Sequence, residues 1–527
     1  RSHLQANLVY QTNKLKFYID STWWSNLTPE LITKASAQLF YLASYFENND
    51  YKKLVSIFGS ESIPGLDGDD HIYVLIHPMK ENYLGYARFE DTLPANMPNV
   101  SSNQHEIVYL NPQVIMDVPP QQLGYYLSHE VLHLISFNQK GLAINSEDER
   151  WLSEARSDYL STLLGYDNNY EGSFLQKRVE SLKQNTNFSL LNFRGTASDY
   201  AAVHLLAEYI VEHYGMKILV DSMHSQLTGV ASLNEALAKN GFSDDFNTIF
   251  SNWLITMALN DCQMGEKYCF TNSPLANFKI YPYTNYLSDF GSNSLSASTY
   301  VNVYSGNWLK ITGGKGDLKL KYEFSNDAQF FLPMVMVDQN NNKTVKIYSN
   351  KDGAKGVITI PDFGKTSIAV YLMPFVTKSS NGAALFSWGA DIGTAANNSS
   401  SEEVTQNLVD QLNYLKFQVA LLTTQLNLLI QQKNLSLNSS VNSHSEVCAP
   451  FQNDLQYGML NNAEVKCLQK LLWEKEPALY PLGLITGNFL DLTKKAVEMY
   501  QQKYGLPQTG YFGPLTRTLA NSQWFLK

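Results

Sequence analysis

From about residue 270 to 395 the apolar residues of this chain stop recurring every three or four positions and begin to alternate. "TYVNVYS", "WLKITG", "DLKLKYEF", "FFLPMVMVD", "TVKIYS", "GVITIP" and "SIAVYLMPF" follow one another, with Gly, Asn and Asp between them. A two-residue period sends successive side chains to opposite faces of a strand. Many short segments of this kind can bury their apolar faces only against another sheet, so the stretch is expected to be an all-β sandwich. The whole chain has 527 residues, too many for one core, and several domains are expected around that sandwich.

Residues 1–268 read as α+β. "HIYVLIHPM" (71–79) and "HEIVYLNP" (105–112) are strand-like, rich in β-branched and aromatic residues. "PPQQLGYYLSHEVLHLISF" (119–137) is expected to be a helix opened by its two prolines. "WLSEARSDYLSTLLGY" (151–166) and "YAAVHLLAEYIVEHYG" (200–215) read as two more. Beyond the sandwich (269–395), "GTAANNSSSEE" (393–403) is linker-like. Leu408, Leu412, Leu415, Val419, Leu422, Leu426 and Leu429 then step by 4 and 3 in turn, a heptad seam. A coiled-coil helix within 396–445 is expected, with self-association through 404–430 as one use and docking on another domain as the other. A second linker, "NLSLNSSVNSHS" (434–445), leads to a small three-helix unit at 446–527.

Composition removes some functions. The net charge is −10 and no strong basic tract occurs, so nucleic acid is not an expected partner. No run of about 18 apolar residues reads as a membrane span. The first residues, "RSHLQANLVY", lack the apolar stretch of a secretion signal. Only 17 % of residues are charged while Asn, Ser and Tyr abound, as in many secreted proteins. The four cysteines allow three pairings. Cys262 with Cys269 and Cys448 with Cys467 needs the least chain crossing, and an extracellular setting would keep such disulfides. Four buried thiols are the alternative.

Chemistry concentrates in "SHEVLHLI" (128–135). His129 and His133 are four apart on the expected helix, so both imidazoles leave one face and can share one Zn²⁺. Glu130 is placed to take a proton from a zinc-activated water. A third ligand is needed, and Glu154 in "WLSEARSDY" lies 21 residues after His133. Asp158, one turn later, could accept a hydrogen bond from the outer nitrogen of a ligand histidine. "DGDD" (67–70) offers carboxylates to Ca²⁺ but lacks the rest of an EF-hand loop, and a solvated turn suits it better. His71 and His77 share a strand face and read as structural.

The pair H129-E-V-L-H133 and E154-A-R-S-D158 resembles the gluzincin pattern of thermolysin-like metallopeptidases. The metzincin pattern fails, because Ser136 and Gln139 stand at its decisive positions. The stretch 66–215 is similar to secreted bacterial zinc metallopeptidases of the hyicolysin-like and immune-inhibitor-A-like groups. The resemblance implies a gluzincin catalytic domain. His129, His133 and Glu154 would be ligands of one zinc, Glu130 the general base and Asp158 a support behind the ligands. It also implies that the strand before the zinc helix, here "HEIVYLNP", pairs with the substrate backbone. A tyrosine at the start of a later helix would stabilise the oxyanion. Tyr200 in "SDYAAVHLL" fits that place, with His204 as the alternative and core packing as an equal reading of the tyrosine.

The C-terminal stretch "FQNDLQYGMLNNAEVKCLQKLL…LITGNFLDLTKKAVEMYQQKYGLPQTGYFGPLTRTLAN" resembles the type 1 peptidoglycan-binding domain. Its repeated TG-x-F/Y turns carry the likeness. A shallow surface beside Tyr511 would then face the wall polymer. Together these expectations describe a secreted, wall-tethered zinc endopeptidase acting on proteins. A stem-peptide hydrolase and a non-catalytic surface adhesin or scaffold are the alternatives.

Overall fold

The computed structural model describes residues 4–79, 83–98, 100–144, 146, 148–288, 293–392, 448–459, 462–476, 479–480, 485–489 and 491–525. The chain divides into two compact units, Arg1–Ser400 and Ser401–Lys527. The heptad segment and both expected linkers lie outside the described residues.

The first unit opens with a five-stranded sheet. Its strands are β1 (Ala6–Gln11), β2 (Leu15–Asp20), β3 (Ile72–Ile76), β4 (Gly85–Ala87) and β5 (Ile107–Leu110), in the order β1-β2-β3-β5-β4. β2, β3 and β5 run parallel, and the outer strands β1 and β4 are antiparallel to their neighbours. Internal parallel strands are covered on both faces, and "IVYL" of β5 is accordingly apolar and buried throughout. Four helices follow the same core: α1 (Ser21–Ser25), α2 (Pro29–Tyr45), α3 (Tyr51–Phe58) and α4 (Pro112–Asp117). Across the sheet lies α5 (Pro120–Ser136), whose Leu127 and Val131 share a cluster with Val74, Ile76 and Val108.

One polar group interrupts that core. Asp50 is buried and accepts from Tyr166 Oη at 2.5 Å and Ser128 Oγ at 3.2 Å. Burial pushes its carboxyl up from 3.8 to about 6, against those hydrogen bonds. The folded state thus favours the protonated acid. That contribution is fully present below the unfolded pKa and is lost as pH rises through about 6. Asp50→Asn is expected to remove the loss, so the stability difference from wild type should shift by about 2–3 kcal/mol between pH 4 and 7. Urea titrations at several pH values measure it, and a pH-independent difference would exclude the effect.

The helix expected at 151–166 is divided. α6 (Arg150–Asp158) breaks at Tyr159, and α7 (Leu160–Leu163) is a single turn. Asp167 accepts from Ser161 Oγ at 2.6 Å, Thr162 Oγ1 at 3.0 Å and Leu175 N at 3.0 Å, which draws the chain out of the helical path. Five helices follow: α8 (Phe174–Gln184), α9 (Ala197–Tyr214), α10 (Met216–Met223), α11 (Gly229–Lys239) and α12 (Phe246–Leu259). α9 begins with a Thr196–Asp199 capping box and stops at Gly215.

The β region contains β6 (Tyr283–Leu287), β7 (Asn293–Asn302), β8 (Leu309–Gly313), β9 (Gly316–Phe324), β10 (Gln329–Asp338), β11 (Lys343–Ser349), β12 (Lys355–Phe363), β13 (Ser367–Leu372), β14 (Phe375–Lys378) and β15 (Ala383–Ile392). They form two groups, β11-β10-β13-β8-β6 with β14 on β10, and β12-β9-β15-β7. The bridge Phe363 with Ser367 joins the groups, and Val303, just after β7, bridges to Val376 of β14. Their inner faces meet where Phe324 of β9 stacks on Phe330 of β10, ring centres 3.9 Å apart.

The boundary expected at 268/269 lies inside one continuous core. Trp308 Nε1 donates to Leu254 O at 2.9 Å, Tyr304 Oη donates to Asn247 Oδ1 at 2.6 Å, and Phe250 packs on Phe375. Cys262 pairs with Cys269, and in the second unit Cys448 pairs with Cys467, the local pairing. No helix among the described residues is long and apolar enough to cross a membrane.

In the second unit α13 (Ala463–Lys475), α14 (Asp491–Lys503) and α15 (Pro514–Trp524) enclose Val465, Leu468, Leu472, Val497 and Phe512. Two buried glutamines explain the repeated turns. Gln469 Oε1 accepts from Thr486 N and Gly487 N, while its amide nitrogen donates to Asn488 O and Thr493 Oγ1 at 2.9 Å. Gln501 repeats the pattern with Gly510 N, Tyr511 O and Thr516 Oγ1. Each side chain satisfies a loop that would otherwise bury unpaired backbone groups. Gly487 and Gly510 have φ of 78° and 67°, the left-handed region these turns require.

Candidate metal centre and cleft

α5 brings His129 and His133 to one face, ring centres 5.1 Å apart. α6 brings Glu154 against both. His129 Nε2 lies 3.3 Å and His133 Nε2 3.8 Å from Glu154 Oε2. Neither approach has hydrogen-bond geometry, so this buried oxygen has no hydrogen-bond partner. A ligating atom from each of His129, Glu130 and His133 falls within 4.8 Å of the others. That is the one group of three or more potential metal-binding side chains found among the described residues. "DGDD" is used otherwise: Asp67 pairs with His105 at 2.7 Å, and Asp69 binds Lys16, His71 and Tyr73.

The electrostatics are those of four groups crowded out of water. Burial raises the Glu130 carboxyl to about 7, although His129 opposes the shift. Burial would also raise Glu154, but the two histidines outweigh it and hold Glu154 below its ordinary value. His133 is pushed down by burial, whereas for His129 the neighbouring carboxylates overcome burial and raise it. Two imidazole nitrogens and one carboxylate oxygen without a hydrogen bond are donors of the kind a divalent zinc ion takes, so the residues present fit such an ion.

Supporting contacts differ from expectation. Asp158 does not bond His129 or His133. Its oxygens accept from Arg178 Nε at 2.8 Å and Nη2 at 2.5 Å, and from Tyr125 Oη at 2.8 Å. His204 Nδ1 lies 3.1 Å away. The reason is packing: Arg178 of α8, His204 of α9 and Tyr125 of α5 converge on this end of α6 and take up the carboxylate. Tyr125 then packs edge-on against His129, ring centres 5.8 Å apart. His133 has a direct neighbour, Ser153 Oγ, 3.1 Å from its Nδ1. Ser153→Ala is expected to weaken zinc affinity by about 10–100-fold with the fold intact. Competition against a fluorescent zinc chelator would measure this, and unchanged affinity would remove Ser153 from the site.

The two oxyanion candidates separate. Tyr200 lines the cleft beside His129, His133 and Glu154. The Arg178 guanidinium lies over its ring at 5.1 Å, and Phe193 packs edge-on. Burial raises its phenol well above the ordinary value, so it remains a donor. His204 is fully buried, held between Asp158 and Thr162, and does not line the cleft.

The cleft holds about 380 Å³ and is walled by Gly85, Tyr86, Phe89, Phe137 and Arg150 among others. Its strand is β4, not β5 as expected. β5 is hydrogen-bonded on both sides by β3 and β4, whereas β4 is the sheet's edge. A Cβ at Gly85 would meet Glu130 Oε1 at 2.8 Å, so glycine lets the edge strand approach the acid. Ser153, Arg178, Gly85 and Tyr86 escaped sequence reasoning. "GYA" was legible only as part of a familiar stretch, because three residues show no period.

On the second unit Tyr511 borders a shallow groove with Gln456, Tyr457, Lys494 and Thr509. Its phenol donates to Asp454 Oδ2 at 2.6 Å, which fixes the ring at the surface.

Comparison with known proteins agrees at that end of the chain. No curated protein matches this sequence. Similar solved structures include tripeptidyl peptidase 2, at 13 % identity over 25 % of this chain and 13 % of that one, TM-score 0.18. The Yersinia pseudotuberculosis-derived mitogen shares 15 % identity over 20 % of this chain and 92 % of its own, TM-score 0.16. Salmonella Typhimurium PliG, a periplasmic inhibitor of g-type lysozyme, shares 19 % over 21 % and 97 %, TM-score 0.15. Such short likenesses say nothing about the first unit's chemistry. Residues 461–519, by contrast, match the family described as "Putative peptidoglycan binding domain".

Proposed function

We propose that the first unit is a zinc-dependent endopeptidase that hydrolyses protein peptide bonds, on a chain held at the bacterial cell wall by its C-terminal module. One observation carries the reading: Glu154 Oε2 is buried without a hydrogen bond between two imidazole nitrogens. Such an oxygen is costly unless a cation completes it. His129, His133 and Glu154 would hold the zinc. When bound, the ion supplies Lewis acidity toward a water and the scissile carbonyl. Glu130, with a carboxyl raised to about 7, takes the water's proton and returns it to the departing amine. The free edge of β4 aligns an extended substrate by backbone hydrogen bonds. Tyr200 donates to the developing oxyanion. Tyr200→Phe is expected to lower kcat by about 10²-fold with little change in KM. A normal kcat would remove Tyr200 from the mechanism.

The family match at 461–519 supports an extracellular, wall-associated location. It also favours a second reading, in which the cleft cuts the peptide part of peptidoglycan. β4 suits an extended L-peptide, while wall peptides contain D-residues, so protein is the preferred substrate. The test is mass spectrometry of a proteome-derived peptide library incubated with zinc-loaded protein, beside purified sacculi. New peptide ends that vanish on chelation and return with zinc support the first reading. Soluble wall fragments alone support the second. Bound zinc with neither product leaves a surface adhesin.

A further inference from the structure

A second groove lies far along the chain from the metal centre, on the β region. Tyr281, Pro282 and Tyr283 form one lip, Ala297 and Thr299 of the edge strand β7 are among its walls, and Trp388 is also in the lining. Its volume is about 520 Å³, within the range of about 300–1,000 Å³ usual for small-ligand sites. Tyr281 is 88 % and Tyr283 75 % exposed. Large rings held so far into water suit a surface that receives something flat and partly apolar.

The rings stand on fixed backbone. Ile280 N donates to Met257 O at 2.7 Å, Pro282 restricts the residue between the tyrosines, and Leu287 at the end of β6 is fully buried. The lining contains no acidic or basic side chain; its polar members are threonines, asparagines and tyrosines. A charged ligand would find no partner of opposite sign there to offset its lost hydration. A neutral sugar chain needs none. The apolar C–H faces of its rings stack on tyrosine, and its hydroxyls and acetamides find amide and hydroxyl groups.

We infer that this groove binds the N-acetylated glycan strand of the cell wall, through Tyr281 and Tyr283. Stem peptides, with their carboxylates and amines, are the poorer fit to an uncharged lining. The inference uses the wall association that the family match supports and is independent of the peptidase reading.

The probe is chitohexaose, a neutral N-acetylglucosamine hexamer, titrated calorimetrically into the full chain. The wild type is expected to bind. The double replacement Tyr281→Ala with Tyr283→Ala should weaken that binding at least tenfold, or remove one site per chain if the C-terminal module also binds. Thr299→Glu, which puts a charge on the groove wall, should do the same, and Tyr283→Trp should retain binding. Unchanged melting temperatures establish that the variants are folded. No binding by the wild type, or equal binding by the double variant and Thr299→Glu, would overturn the inference, as would selective binding of soluble stem peptides lost in the same variants.

Discussion

Replacing Glu130 with Gln is expected to lower kcat for peptide hydrolysis by about 10²–10⁴-fold, the usual contribution of a positioned general base. Zinc content should remain one ion per chain, because the ligands of the proposed site are His129, His133 and Glu154. Glutamine matches the shape of the acid, so the close approach of Gly85 is kept. It cannot accept and return a proton. Burial raises the native carboxyl in the metal-free site. Kinetics on a peptide identified in the library, together with metal analysis, would check both halves. An active Glu130→Gln variant would sink the mechanism. Loss of zinc from that variant would instead make Glu130 a ligand.

The largest effect on stability should come from Arg178→Met. Asp158 is fully buried, and burial alone would raise its pKa; Arg178 and His204 reverse this and hold it far below the usual carboxylate range. Removing the guanidinium leaves the buried carboxylate with only His204 and Tyr125 beside it, a cost of about 3–5 kcal/mol. That is a large fraction of a total stability of about 5–15 kcal/mol. The pH dependence has a definite sign. In the wild type the depressed pKa contributes stability above the ordinary carboxylate range, and it is lost as pH falls through the folded pKa. In the variant Asp158 can protonate more readily, so the deficit should shrink in acid. Asp158→Asn combined with Arg178→Met should cost less than Arg178→Met alone, because the buried carboxylate that lost its guanidinium is then gone as well. Denaturant unfolding of the two variants beside the wild type tests this, and a deficit under 1 kcal/mol for Arg178→Met would refute it. The same variant should also slow catalysis, because Arg178 packs on Tyr200.

Much of the site was readable because helix geometry is local. Four residues make about one turn, so His129 and His133 had to share a face once 119–137 was helical. Glu154 stood out by its distance of 21 residues from His133 in a helix-like stretch, and the family resemblance pointed to the same residue. In the second unit the repeated TG turns marked their own positions, and Gln469 and Gln501 had no alternative but to satisfy them. The paired cysteines behaved in the same way, being too close in sequence to need the rest of the fold.

Local order along the chain sets what most elements contain and how far apart His129, His133 and Glu154 stand. It is the packing of distant segments that gives Asp158 to Arg178, Tyr125 and His204 instead of to His129 or His133. The same packing decided that Ser153 meets His133, that β4 rather than β5 lines the cleft, and that α12 and the β region share one core. Each of these is a contact between segments far apart in the chain. Such contacts follow from how helices and sheets settle against one another. Neither a 3.6-residue nor a two-residue period carries that information.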